Sequence, residues 1–305
     1  MKRSLIAALA LLLPACNNTS PDSTTSSTST STTSTSTTAF SSTYTTLTFT
    51  STVTESPVAG ANVVVAGVSY VTDSNGSITL SATQSSGATV DASASGFLTR
   101  TTLLGSSGTI SLWEIPAGVD SNFIRQIAYN RGGTPEVLWR PAAGALLLRI
   151  PGDLGNDIEV RAAHIKAAAM ANAMAGGKMT VALGDATTGA LTATSVLNTS
   201  NTAAATTFLT QTRGTITSAR IEYASLAAAR DPRVIAHELG HVLGFGHAPS
   251  GIMCPTCGAS DFTGVEQSIF FSMLKRAVGT QPLDNDRSLG ALGGESTLAI
   301  RCDLR

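Results

Sequence analysis

The chain has 305 residues, of which 42% are hydrophobic and 13% charged, against roughly 25% charged in an ordinary soluble domain. Nineteen basic and twenty acidic side chains leave a formal charge of −1, which excludes the basic footprint of a nucleic-acid binder. Glycine and proline are near their ordinary rates, so a collagen-like or wholly disordered chain is excluded, and the length allows one large domain or two modest ones.

Met1-Lys2-Arg3 is a positive start, Leu5 to Leu13 an apolar run, and Pro14-Ala15-Cys16 a small-residue end. This is the pattern of an export signal. The apolar run has nine residues, too few for a bilayer span of about 20, and no later stretch is long and apolar enough. Leu13-Pro14-Ala15-Cys16 resembles the lipobox of bacterial lipoproteins. That resemblance implies lipidation of Cys16 and a protein exported and lipid-anchored to the cell envelope, at the outer membrane or cell surface; the alternative is ordinary secretion with an incidental cysteine. From Thr19 to Thr52, 27 of 34 residues are Ser or Thr; such a tract has nothing with which to build a core, so 17–52 reads as a disordered tether.

Residues 53–115 read as a small β module, with strand-like runs at Asn62 to Ala66, Ser77 to Leu80 and Thr89 to Ala94 between Gly and Asn turn signals. The strings Gly60-Ala61-Asn62-Val63-Val64-Val65, Thr72-Asp73-Ser74-Asn75-Gly76 and Ala94-Ser95-Gly96-Phe97 resemble the carboxypeptidase regulatory-like family of small β-sandwiches. The resemblance implies a spacer or binding module without chemistry of its own. Asp73 reads as a turn cap rather than a calcium ligand, and no structural Ca2+ site is legible.

Residues 116–305 carry the chemistry. Ala145 to Ile150 reads as a buried strand, Ile158 to Ala175 as a long helix closed by Gly176-Gly177, Met179 to Leu183 as a strand, and Arg220 to Ala224 as the last strand before a second helix. Between Gly184 and Thr217 no signal is readable. Asp231 is a good N-cap and Pro232 a good first helical residue, so a helix starts there. His237 and His241 stand one helical turn apart on a shared face, where two imidazoles can hold one Zn2+; Glu238 lies beside the first and is placed to act as general base for a metal-activated water. Gly244 can take the left-handed conformation that ends a helix, letting His247 return as a third ligand and leaving a fourth, tetrahedral position open. A three-residue HExxH match arises by chance in roughly one chain per hundred of this length, and the added Gly and His lower that about a thousandfold. Three of the four histidines in the chain fall in this string.

His237-Glu238-Leu239-Gly240-His241-Val242-Leu243-Gly244-Phe245-Gly246-His247 resembles the zinc signature of the metzincin metalloproteases, and Gly251-Ile252-Met253-Cys254-Pro255 resembles their methionine turn in its matrixin form. The resemblance implies an α+β fold with a mixed twisted sheet, a zinc helix and a C-terminal helix. It further implies one catalytic Zn2+, Met253 as an apolar floor that does not bind the metal, and endopeptidase activity on a protein or peptide substrate. Ala248 follows the third ligand where matrixins carry Ser, and no Tyr follows Met253 as an extra ligand. Past the turn, Thr263 and Glu266 make a capping box, and Val265, Ile269, Phe270, Met273, Leu274 and Ala277 keep helical spacing up to Gly279 as core positions.

His164, distant from the signature, reads as a surface or capped histidine. Cys254 and Cys257 form a C-x2-C pair, but with Cys302 they do not supply the four ligands in two pairs that a second zinc site needs; in an exported protein they point to a disulfide joining Cys302 to Cys257, or to Cys254. With no cysteine between Asn17 and Met253, a cysteine-bearing prosegment of the matrixin type has no residue to use. The rival to an endopeptidase is an envelope adhesion or scaffold lipoprotein whose metzincin-like domain is not catalytic. Oligomeric state is not legible.

Overall fold

The computed structural model describes residues 42–105, 107–129, 137–142, 144–184, 191–280 and 295–303. The export signal with Cys16 and most of the Ser/Thr tract lie outside the described residues. Among the described residues, no helix is long and apolar enough to cross a membrane. Over the described residues the protein is mixed α+β, with three sheets and few helices.

The N-terminal sheets contain strands β1 (Thr43–Ser51), β2 (Asn62–Val65), β3 (Val68–Val71), β4 (Ser77–Ser85), β5 (Thr89–Ser93), β6 (Arg100–Leu103) and β7 (Thr109–Leu112). One sheet has the order β4-β1-β7, the other β3-β2-β5-β6. Leu47 and Phe49 of β1, Val63 and Val65 of β2, Ile78 and Leu80 of β4, Val90 and Ala92 of β5, and Ile110 and Leu112 of β7 share one buried cluster. The alternation expected of half-buried strands thus fills a core between two sheets. Asp73 caps its turn, accepting from the backbone N–H of Asn75 at 2.9 Å and of Ser77 at 2.8 Å.

The tether expectation fails at its C-terminal end, because Thr43–Ser51 is a strand at the centre of a sheet. In Thr46-Leu47-Thr48-Phe49-Thr50 the apolar residues recur every second position, and threonine is β-branched, so the segment suits a pleated half-buried surface. Ser/Thr abundance masked this period. Thr52, just past β1, shares a buried hydroxyl hydrogen bond of 2.7 Å with Ser272, and Glu55 pairs with Lys275 at 2.6 Å, so the module is tied to the C-terminal part of the chain.

The larger body contains α1 (Ser121–Ala128), β8 (Arg140–Pro141), β9 (Gly144–Arg149), α2 (Gly152–Asn156), α3 (Ile158–Ala175), β10 (Met179–Leu183), β11 (Leu191–Leu197), β12 (Ala205–Thr212), β13 (Thr215–Tyr223), α4 (Leu226–Ala229), α5 (Pro232–Val242), α6 (Gly264–Lys275) and β14 (Glu295–Cys302). Its sheet has the order β10-β9-β11-β13-β12-β14, with β8 added against β13. β10, β9, β11 and β13 run parallel, whereas β12 is antiparallel to both β13 and β14. The long helix and its Gly176 left-handed end stand where the sequence places them. The final helix stops at Lys275, short of Gly279. The stretch without readable signal contains β11 and β12, whose Thr-rich strands declare themselves only through their partners.

Candidate metal centre

Helix α5 begins as its sequence dictates. Asp231 accepts from the backbone N–H of Arg233 at 2.8 Å, Pro232 fills the first turn, and every residue from Val234 to Val242 is buried. Burial on all sides places His237, Glu238 and His241 in the interior, where polar groups need partners. Leaving the helix, Gly244 adopts φ 103°; a Cβ there would also meet the Trp139 carbonyl oxygen at 2.5 Å. Only glycine fits this turn without strain, and the turn returns His247 beside the helix.

The three imidazoles converge, with ring centroids 4.9 Å apart for His237 and His241, 5.4 Å for His237 and His247, and 4.8 Å for His241 and His247. Nδ1 of His237 lies 2.7 Å from the Ile252 carbonyl, and Nδ1 of His241 lies 2.9 Å from the Phe245 carbonyl. A carbonyl can only accept, so each ring carries its proton on Nδ1 and offers the Nε2 lone pair to the centre. Nε2 of His237 is buried with no hydrogen-bond partner among the described residues. Burial, the neighbouring His247 and, in opposition, the Ile252 carbonyl together lower the His237 pKa to about 3, so this ring stays neutral. Neutral imidazoles with inward lone pairs are what a metal ion requires.

A fourth donor completes the group. Sγ of Cys302, at the end of β14, lies 3.3 Å from Nε2 of His241 and 3.2 Å from Nε2 of His247. The ligand atoms of His237, His241, His247 and Cys302 all lie within 4.8 Å of one another. In a tetrahedral zinc site, bonds of about 2.0 Å to nitrogen and 2.3 Å to sulfur separate N and S by roughly 3.5 Å, so the sulfur is at ligand distance. Three imidazoles and a thiol suit zinc or another borderline transition ion and do not suit Ca2+ or Mg2+. The group is therefore three histidines and a cysteine, not three histidines with an open position.

This corrects the expected disulfide. Cys254 and Cys257 are bonded to each other, and Cys302 stands outside any disulfide. The pair sits in one tight turn with Cα atoms 5.4 Å apart, while β14 carries Cys302 to the histidines.

Glu238 is fully buried next to the group, and its Oε2 accepts from Oγ1 of Thr207 on β12. Met253 is fully buried beneath α5, lying so close to Gly240 that a Cβ there would collide with its Sδ. Glu266 secures this turn. It is the capping-box residue of α6, and its carboxylate accepts from the backbone N–H of Thr263 at 2.7 Å and of Met253 at 3.0 Å. Thr207 and Cys302 are the two residues that sequence reasoning missed. Their paired strands place them on one face, since Thr207 pairs with Ile300 and Ala205 with Cys302, and directly paired residues share a face while successive ones alternate.

His164 is not among the converging donors, and it is buried, not at the surface. Its Nδ1 lies 2.8 Å from the Val160 carbonyl and its Nε2 3.0 Å from Ser195 Oγ. Burial lowers its pKa from 6.5 to about 4, against the opposing pull of the Val160 carbonyl. The unfolded chain takes up a proton near pH 6.5 that the folded chain refuses until about 4, so His164 costs stability as pH falls through that window and nothing above it. His237 acts in the same sense. Thermal melts of metal-free protein should show a falling Tm from pH 7 to 4.5; a flat profile would contradict the buried, neutral rings.

Comparison with known proteins finds no match: no family model, no curated protein and no solved structure resembles the chain closely enough to be matched.

Proposed function

We propose that the chain is a zinc-dependent endopeptidase with a metzincin-like, matrixin-like catalytic domain. The observation that carries the reading is a fully buried carboxylate, Glu238, adjacent in sequence to the ligand-positioned His237 and accepting a hydrogen bond from Thr207. A purely structural zinc site needs four ligands and nothing more, and burying a carboxylate beside one is costly. A hydrolytic site needs that group. Support for the metzincin-like reading comes from the signature His237 to His247, from Met253 packed beneath α5, and from a sheet that flanks the helix with β12.

Bound zinc supplies Lewis acidity, polarising a peptide carbonyl and acidifying water. The remaining work falls to the chain. His237 and His241, fixed through Ile252 and Phe245, hold their lone pairs in place, so no reorganisation is needed. Glu238 Oε1 or Oε2 takes the proton of the attacking water and delivers it to the leaving amine. Thr207 orients the carboxylate by donating to one of its oxygens.

The N-terminal sheets, sharing one core, act in this reading as a β-sandwich spacer of the carboxypeptidase regulatory-like kind. Cys16 is the lipid anchor, and the Cys254–Cys257 disulfide suits an exported protein in an oxidising compartment. Protein or peptide chains are the substrate.

A second reading is favoured by one observation, the fourth protein ligand. Four donors close a metal site in the manner of a structural one, as a scaffold lipoprotein would have. Elemental analysis with a protein-cleavage assay, run with and without a chelator, separates the two. The endopeptidase reading expects one zinc per chain and chelator-sensitive cleavage; stoichiometric zinc with no cleavage by any form of the chain favours the scaffold.

A further inference from the structure

We propose that Cys302 is a metal ligand, and that β14 is a strand of the protein's own chain lying in its catalytic cleft and keeping the enzyme latent. The latency half rests on the endopeptidase reading above; the ligand half does not.

Four observations carry it. Sγ of Cys302 stands at ligand distance from two of the imidazoles and is fully buried. β14 pairs antiparallel with β12 over eight residues, from Thr212↔Glu295 to Ala205↔Cys302; Leu298, Ile300 and Cys302 share one face and are buried, and Ala299 on the other face is buried too. β12 is the strand whose Thr207 holds Glu238, so β14 runs alongside the catalytic carboxylate before its last residue meets the histidines. Without β14, β12 would be an edge strand with a row of backbone N–H and C=O groups facing outward, the surface on which extended peptides bind by adding a strand. β14 already satisfies that edge, and its thiol fills the position a substrate carbonyl or water would need.

Coordination is balanced without any redox partner. The S–H bond breaks, its proton passes to solvent, and a metal–sulfur bond forms. Opening reverses these events and leaves the fourth position free.

The test uses the full chain loaded with Co2+ and, separately, with Zn2+. In the cobalt form the parent should show the near-ultraviolet sulfur-to-cobalt charge-transfer band, Cys302→Ser should lose it, and Arg301→Ala, on the exposed side of the same strand, should keep it. In the zinc form Cys302→Ala should hydrolyse an unfolded protein substrate at least tenfold faster than the parent. A parent that binds cobalt without the sulfur band overturns the proposal, and the endopeptidase reading survives if that parent cleaves. A parent and a Cys302→Ala variant of equal, measurable activity overturn the latency. A sulfur band lost in Cys302→Ser, with no cleavage by any form, upholds Cys302 as ligand and overturns the endopeptidase reading instead.

Discussion

Glu238→Gln should lower peptide hydrolysis by about 10²–10⁴, or roughly 3–5 kcal/mol in the barrier, while leaving zinc content at that of the parent. The substitution keeps the shape of the side chain and an oxygen for Thr207 Oγ1 to donate to, so the strand–helix contact survives. What it removes is the ability to take a proton. Because Glu238 is not among the converging donors, its loss separates catalysis from metal binding. The measurement belongs in both the parent and the Cys302→Ala background, since a latent parent could hide the loss. A Glu238→Gln chain that cleaves as fast as its background contradicts the proposed role.

His241→Ala should differ in kind. It deletes a donor at the middle of the group, leaves the Phe245 carbonyl without its N–H partner, and opens a cavity in a fully buried helix. Zinc affinity should fall by more than the 10–100-fold typical of disturbing a group behind a ligand, and activity should vanish with it. Linkage gives a second readout. Zinc at a thousand times its Kd stabilises the folded parent by about 4 kcal/mol, which raises Tm by roughly 10 °C. The variant should show almost none of that rise. If its Tm still responds to zinc as the parent's does, the histidines are not the site.

Helix α5 was legible because every device in it is local. Asp231 and Pro232 start it, the i, i+4 spacing puts His237 and His241 on one face, and Gly244 ends it. The same holds for the long helix to Ala175 and for the capping box at Thr263 and Glu266. The place of Cys302 in the group was not legible, because nothing near it in the sequence marks it as a donor; its meaning comes from pairing with β12, some ninety residues earlier. Leu298, Ile300 and Cys302 do alternate in the manner of a half-buried strand, and that was the available signal. Cys254, Cys257 and Cys302 in an exported chain point equally well to a disulfide, which competes with that signal. β1 was lost for a related reason, since counting Ser and Thr as disorder-forming outweighed the two-residue period of Leu47 and Phe49.

The position of β1 also determines how the protein bears load. The strand lies between β4 and β7, antiparallel to one and parallel to the other. A pull on the chain upstream of Ser42, directed along the strand, strains both ladders in shear, so their hydrogen bonds resist together instead of unzipping in turn. Immediately past the strand, Thr52 and Glu55 are fastened to Ser272 and Lys275 of α6. Traction at the N-terminal side therefore passes through the middle of a sheet into the helix whose Glu266 braces the turn at Met253.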